Sequence, residues 1–344
     1  MRFGAIAGPA VYHRAMLSPT ARYPELDLGN LQLESLADRT HKVKLGDLVR
    51  VEPLDPAAGA QLWKALPDQF AGTDIRAIAT HFVDCIGQGL PILLTTGAHV
   101  VKVGVSPYLI DWVRKGYFKS VSANGAFCVH DVELAIHGET SEWVGATIVE
   151  GRFGMARETG AVLNGAFNHY VPQGMGLGQA IGYAMSIGEA PVLHPDISLL
   201  QTCAERGVPF TVHLALGTDV YHYHPSADGA ILGEGTMRDF RIFAKVISTL
   251  GQGGMIWNLG SAVIMPVVIE KALAVAQNLG FKPGPFWGVN FDMQIHYRSN
   301  LNPVQRAKEV GGRGIHIIGH HEILVPLLWH LVESELVRRG VAHG

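Results

Sequence analysis

Residues 209–225 read PFTVHLALGTDVYHYHP. An apolar run from Val212 to Leu216 breaks at Gly217, and Thr218, Asp219, His222 and His224 follow directly. A buried strand that runs into a glycine turn and then into polar side chains is how an open α/β sheet offers a ligand site at its carboxyl edge. The same rhythm recurs along the chain. Pro91–Thr96 (PILLTT) ends at Gly97, Phe118–Ala123 at Asn124-Gly125, Met255–Leu259 at Gly260-Ser261 and Phe286–Phe291 at Asp292, with Ile315–Ile318 as the last strand.

Helical segments separate these runs. One spans Pro56–Leu66, with proline in its first turn. Another starts at a Thr73-Asp74 cap and carries Ile75, Ile78, Phe82 and Ile86 on one face. Ser106 caps a third, with Pro107 at its first position, and a fourth runs through Val129–Ile136 and closes at Gly138. Residues 140–207 read as mostly helical, followed by helices at Arg238–Leu250, Val263–Leu279 and Glu322–Arg339. Short strands alternating with helices predict an α/β fold, a Rossmann-like parallel sheet with helices on both faces. Residues 1–50, with Pro9, Pro19, Pro24 and weak periodicity, read as an N-terminal arm, and residues 51–344 as a single domain.

Of the 344 residues 48% are hydrophobic and 17% charged, and 41 are glycine, the composition of a globular enzyme with many tight turns. A net charge of −3 gives no basic footprint for nucleic acid. No run of 18 uninterrupted apolar residues predicts a membrane span. The three cysteines, Cys85, Cys128 and Cys203, are odd in number and far apart, so neither a disulfide framework nor a zinc knuckle is expected. With no signal peptide over Met1–Tyr12, the expectation is a soluble cytoplasmic protein.

The strand ends form a set: Gly97, Asn124-Gly125, Gly217-Thr218-Asp219, Asn258 through Gly260-Ser261, and Asp292. Glycines there admit a ligand close to the backbone, and the helix N-termini that follow offer free N–H groups to a pyrophosphate. Asp131 and Asp219 are carboxylates of the kind that hold ribose hydroxyls. Since no G-x-G-x-x-G is present, ordinary turn chemistry stands as the competing reading.

Histidine is over-represented, with 17 residues. His222 and His224 follow one predicted strand, and His320, His321 and Glu322 follow the last one. On one sheet edge these groups suit a metal ion, general acid–base work or structural hydrogen bonds. Among ten lysines Lys308 is singled out, near Gly311-Gly312 and before the last strand. A lysine held neutral there attacks a carbonyl or imine; the other reading is a solvated surface lysine.

Four segments carry a resemblance: VKVGVSPYLIDWVRKG (101–116), SANGAFCVHDVELA (122–135), EGRFGMARETG (150–160) and HEILVPLL (321–328). Together, and in this order, they resemble the deoxyhypusine synthase family from about Leu93 to Leu331. The resemblance implies a deoxyhypusine synthase-like NAD-binding fold, NAD as cofactor and a homotetramer. In that family an aminobutyl group of a polyamine passes through an imine on an active-site lysine. By position, Asn124, Gly125, Asp131, Thr218, Asp219, Asn258, Gly260 and Ser261 fall near the cofactor, and Lys308 falls where the family places its lysine.

The substrate half departs from the family. Its Trp-Gly-Lys context is Arg306-Ala307-Lys308, its Lys-His-His is Val263-Ile264-Met265, its acidic loop is shortened to residues 298–302, and His320 and His321 replace an Asp-Ala pair. This implies a divergent branch that acts on its own small amine, a polyamine or guanidino compound, rather than forming deoxyhypusine. Catalysis would use Lys308, His222, His224, His320, His321 and Glu322. Two other readings stand beside it: a metal-dependent hydrolase built on the four histidines, and a non-catalytic NAD-binding protein. Metal content separates the first of these, and the absence of any neutral base the second.

Overall fold

The computed structural model describes residues 25–52, 55–251 and 253–341. Six parallel strands build the main sheet: β2 (Ile92–Thr96), β3 (Ser120–Asn124), β5 (Phe210–His213), β6 (Met255–Leu259), β7 (Trp287–Asp292) and β8 (Arg313–Ile318). They lie in the order β5-β3-β2-β6-β7-β8. Counted within this sheet alone, that is the 3-2-1-4-5-6 order of dinucleotide-binding proteins. The order reverses between β2 and β6, where the chain leaves a crevice at the carboxyl ends of the strands. Two further strands, β1 (His41–Lys44) and β4 (Glu139–Glu142), pair antiparallel with each other away from the main sheet.

The strands are apolar on both faces because helices cover both. Leu93 and Ile256 pack with Phe243, Ile247, Ile269 and Leu273 of the helices Gly229–Ile247 and Ile264–Asn278. Leu94 and Trp257 point the other way, into a core with Phe82, Trp112, Val132 and Trp329. Those come from the helices Phe70–Gln88, Ser106–Arg114, Gly125–His137 and His321–Arg339. Fully burying one such side chain stabilises by about 1.5–3 kcal/mol.

The apolar runs at 91–96, 118–123, 255–259, 286–291 and 315–318 are strands to within two residues. The run at 209–216 is shorter than expected: β5 stops at His213. Its last pairing is Asn124 with His213, and at Gly125 the neighbouring chain turns into a helix, which leaves residues 214–216 no ladder partner. The helix expected at 238–250 starts earlier, at Gly229, behind an Asp228 cap. Within the stretch read as helical, ETSE is strand β4. No apolar alternation marks it; it exists because β1 pairs with it.

Residues 33–49 lie against the rest of the chain, and residues 25–30 are exposed. Leu36 is buried in the core, Glu34 bridges to Ala156, and β1 pairs with β4. Residues 1–24 of the expected arm lie outside the described residues. Cys85, Cys128 and Cys203 are free and buried. Burial pushes the Cys85 thiol up to about 12, so it carries no thiolate near neutral pH. Among the described residues no helix is long and apolar enough to cross a membrane.

Candidate functional site

One row of side chains crosses the whole sheet near its carboxyl edge. The register aligns Thr211, Ser122, Thr95, Asn258, Asn290 and His316 on consecutive strands. All but His316 are buried. The Thr211 hydroxyl donates to Ser122 Oγ (2.7 Å), and Thr95 Oγ1 donates to Asn258 Oδ1 (3.0 Å). Asn258 Nδ2 donates to Asn290 Oδ1 (2.6 Å) and to the Ser261 carbonyl (2.9 Å), and Asn290 Nδ2 meets His316 Nε2 at 3.3 Å. A parallel sheet buried on both faces is expected to carry apolar residues here. Buried polar side chains are kept where they are bonded, and this row ties the ends of β2, β6, β7 and β8 into one fixed edge.

The crevice between β2 and β6 sits above that row. A Cβ at Gly97 would run into the carbonyl of Gly260, and a Cβ at Gly260, where φ is 66°, would enter the His321 ring. Only glycine allows β2, β6 and His321 to meet so closely. His321 is buried, with Nε2 3.4 Å from the Phe291 carbonyl, and its ring stands edge-on to His99, centroids 5.5 Å apart. Burial lowers the affinity of both rings for protons.

Beside this crevice, over the ends of β3 and β5, lies a cavity of about 210 Å³ lined in part by Arg39, Lys102, His130, Glu133, Thr218 and Asp219. Ala126, Val129, His130 and Glu133 share one face of the helix Gly125–His137, at i, i+3, i+4 and i+7. His130 Nδ1 lies 2.8 Å from Thr140 Oγ1, and burial, with Lys102 adding to it, pushes this imidazole down to about 3. Lys102, at the rim and exposed over its surface, is drawn below the ordinary lysine range by desolvation and then by Lys42. Ser141 lines the same cavity with φ at 65°, a region non-glycine residues rarely adopt and one that collects at ligand sites.

Under the cavity runs a buried ion network. Arg39 reaches Glu133 (2.7 Å) and Glu142 (3.3 Å), all three side chains less than a tenth exposed. Glu133 also accepts from Thr140 (2.5 Å) and Thr159 (2.8 Å), and Glu142 accepts from the Gly154 N–H (2.9 Å).

The PFTVHLALGTDVYHYHP stretch closes the cavity. Asp219 is buried against Gly125, where a Cβ would collide with its carboxylate and with Tyr221 Oη. Burial raises the Asp219 carboxyl to about 6 and pushes His222 down to about 4. His222 Nδ1 accepts from the Gly217 (3.1 Å) and Asp219 (3.2 Å) N–H groups, so the neutral ring carries its proton on Nε2, 3.7 Å from Asp219 Oδ2. This contact is not an ion pair at neutral pH, because burial keeps the imidazole uncharged. His224 is a turn residue: it bonds Ser226 Oγ (2.7 Å) and lies against Gly160, where a Cβ would meet its ring.

Several sequence expectations are corrected. Asp131 cannot hold a ribose: it is fully buried on the far side of its helix, accepting from Ser198 Oγ (2.6 Å) and the Leu199 N–H (2.9 Å). It caps the helix Leu199–Arg206. The two histidine pairs do not converge, because β5 and β8 are opposite edges of the sheet. His321 stands against Gly260 and the Phe291 carbonyl, at the ends of β6 and β7, while His222 is held by the Gly217 and Asp219 N–H groups beyond β5, and among the described residues these histidines form no cluster with ligand atoms close enough to share an ion. His320 is exposed and faces Glu322, itself exposed, at 3.6 Å. Lys308 is exposed on the short helix Arg306–Glu309 that precedes β8, against Gly314 at the amino end of that strand. About 13 Å of strand lies between Gly314 and the carboxyl edge at Ile318. Thr218 is exposed and bonds the Ala215 carbonyl (2.7 Å).

Asn124, Gly125, Asp219, Gly97, Asn258, Gly260, Ser261 and Asp292 do stand along the carboxyl ends of β3, β5, β2, β6 and β7. Sequence reasoning passed over Arg39, His99, Lys102, His130, Glu133 and Tyr221. The i, i+3, i+4, i+7 spacing of the 125–137 helix was the available signal for His130 and Glu133.

The sheet order and this edge define a doubly wound, Rossmann-like α/β fold of the kind found in NAD-binding enzymes. No protein-family model matches the chain, and no curated protein sequence matches it. Solved structures do. A conserved protein of the LOR/SDH type from Methanococcus maripaludis S2 aligns at a TM-score of 0.51 with 17% identity, over 78% of this chain and 69% of that one. AgrE in its ternary complex with ornithine and NAD+ aligns at 0.51 with 17% identity, over 77% of this chain and 33% of AgrE. A protein described as a deoxyhypusine synthase, from Entamoeba histolytica, aligns at 0.45 with 11% identity, over 81% of this chain and 95% of that one. The chain spans about a third of the length of AgrE. At these identities the likeness is one of fold.

Proposed function

We propose that the chain is an NAD-dependent enzyme that oxidises or transfers the amine-bearing carbon of a small amine or amino acid. One observation carries the reading. Among the described residues, five buried polar atoms without a hydrogen-bond partner stand at or near the carboxyl ends of the sheet: Tyr221 Oη, His222 Nε2, Asp292 Oδ2, His316 Nδ1 and His321 Nδ1. Other such atoms are scattered through the chain, Ser106 Oγ, Gln201 Oε1 and Asn302 Oδ1 among them, but these five lie along the switch edge of this fold, where a ligand would supply the missing bonds. A further cavity, of about 830 Å³, lies at the amino edge, away from the carboxyl ends of the strands where open α/β sheets bind their ligands.

The residues present fit a dinucleotide. Gly97 and Gly260 bring the ends of β2 and β6 together without side chains at the crevice, Ser261 opens the turn into the helix Ile264–Asn278, and Asn258 fixes that turn through the Ser261 carbonyl. These residues, with Asn124 and Asp292 on neighbouring strand ends, would hold NAD, which supplies a hydride acceptor when bound. The cavity beside them takes the substrate. Asp219, with its carboxyl raised to about 6, is ionised at neutral pH yet basic enough to accept a proton from a substrate ammonium. His222 Nε2–H faces the same carboxylate and steadies it. Lys102 is the lysine that the fold brings to this cavity, so the imine chemistry expected of Lys308 is proposed for Lys102. Homotetrameric assembly and a cytoplasmic setting belong to the same proposal. The AgrE complex with ornithine and NAD+ makes an amino acid with a side-chain amine the first substrate to try.

The test is calorimetry with NAD+, followed by absorbance assays of NAD+ reduction with L-ornithine, L-arginine and spermidine. Saturable NAD+ binding is expected, with turnover of at least one amine. Lys102→Ala should lose that turnover while retaining NAD+ binding, and Lys308→Ala should keep both. Absence of NAD+ binding at millimolar concentration overturns the reading, and activity lost in Lys308→Ala but kept in Lys102→Ala overturns the choice of lysine.

A further inference from the structure

The helix Gly125–His137 ends at Gly138, which takes φ of 83° and donates its N–H to the Leu134 carbonyl. That left-handed step stops the helix and starts β4 at once, so His137 and Glu139 stand on either side of a single glycine. Strand β1 brings His41 against them. The His41 and His137 ring centroids are 5.2 Å apart, and one ligand atom each from His41, His137 and Glu139 lies within 4.8 Å of the others. None of these residues belongs to the cavity or the crevice described above.

His41 is 6% exposed, and its Nε2 is 3.0 Å from the Leu36 carbonyl. A carbonyl only accepts, so Nε2 carries the proton and Nδ1 presents its lone pair. That Nδ1 is buried and has no partner. An imidazole whose one nitrogen is fixed by a backbone carbonyl, leaving the other free, is the arrangement metal-binding histidines show. The Glu139 carboxylate also meets Lys44 Nζ at 3.1 Å, through Oε1, and leaves a second oxygen.

We propose that His41, His137 and Glu139 bind one divalent transition-metal ion of the zinc type. Two neutral imidazoles and a carboxylate favour such an ion over magnesium or calcium, which prefer oxygen ligands. Metal–ligand distances of about 2.0–2.2 Å require the three atoms to draw in by roughly an ångström. His137 and Glu139, both partly exposed, have room to do so. The position suits a cation, since His137 lies in the last turn of a helix, where the backbone dipole is negative. An ion there staples the 41–44 strand to the helix that lines the cavity with His130 and Glu133, two residues beyond Arg39. The site does not depend on the cofactor reading.

The test uses untagged full-length protein stripped with a chelator and titrated with ZnCl2 by calorimetry, with melting followed in parallel. Uptake of one Zn2+ per chain and a rise in Tm are expected, with no comparable response to MgCl2. His41→Ala removes a buried ring and so risks the fold. His137→Ala and Glu139→Gln, at partly exposed positions, carry the comparison. Each should bind Zn2+ at least about 10–100-fold more weakly, the loss that even an outer-shell partner brings, with an unchanged circular dichroism spectrum. Wild-type protein that takes up no Zn2+, or variants that bind it as tightly as wild type, would overturn the site.

Discussion

Arg39→Ala is expected to lose about 3–5 kcal/mol of stability at pH 7, because removing one partner leaves charges buried without compensation. Glu133 is 1% exposed and Glu142 7%, and both look to Arg39 for their countercharge. Burial alone would raise the Glu133 carboxyl. Arg39 first, then His130 and the Thr140 hydroxyl, more than reverse this and hold it below the ordinary glutamate range. The sign follows. A group depressed in the folded state stabilises above its unfolded value, about 4.3, and that stability is lost as pH falls through the folded value. Without Arg39, burial raises Glu133 instead, so the variant suffers most at neutral pH and the gap to wild type narrows toward pH 4. Urea melts at pH 7 and pH 4 check this. A loss under about 1 kcal/mol at pH 7 would mean that the network carries none of the load assigned to it.

Asp219→Asn separates catalysis from stability. As the base of the proposed reaction, Asp219 should account for about 10²–10⁴-fold of turnover. The wild-type rate should fall as pH drops below about 6, where the carboxyl takes up its proton, and the variant's residual rate should lack that limb. Stability moves the other way. A carboxyl raised from about 3.9 to about 6 binds its proton more tightly when folded, so wild-type stability declines as pH rises across that window. Asparagine carries no charge and escapes the decline, so the variant should melt no lower than wild type at pH 7. A variant that loses activity and stability together, with the acid limb intact, would make Asp219 a structural residue.

Much of the fold was legible because a parallel sheet buried on both faces writes its strands as apolar runs, and glycine marks their ends. PILLTT and MIWNL read as strands at sight. ETSE did not, since its strand character comes from pairing with a segment about a hundred residues earlier. The strand ends were legible as an edge, and Gly97, Gly125, Asn258 and Gly260 stand there. The grouping along that edge was not, because strand order is a property of the crossovers. The separation of His222 from His321 could only come from the topology. Lys308 carried a readable signal that was passed over: a residue just before a parallel strand stands at its amino end, away from a carboxyl-edge site. Asp131 shows a different limit, since one helix turn decides whether a carboxylate faces a cavity or caps a neighbouring helix. Arg39 sits in a segment with no periodicity and takes its meaning from two glutamates far along the chain.

Electron density from crystals grown with NAD+ tests most directly whether the reversal between β2 and β6 is the cofactor crevice. The expected result is a dinucleotide along the carboxyl edge, lying over Gly97 and Gly260-Ser261, with its reactive end toward the cavity of Asp219 and Lys102. A dinucleotide bound at the amino edge beside Pro91 and Pro209, or a carboxyl edge left without ligand in protein saturated with NAD+, would contradict it.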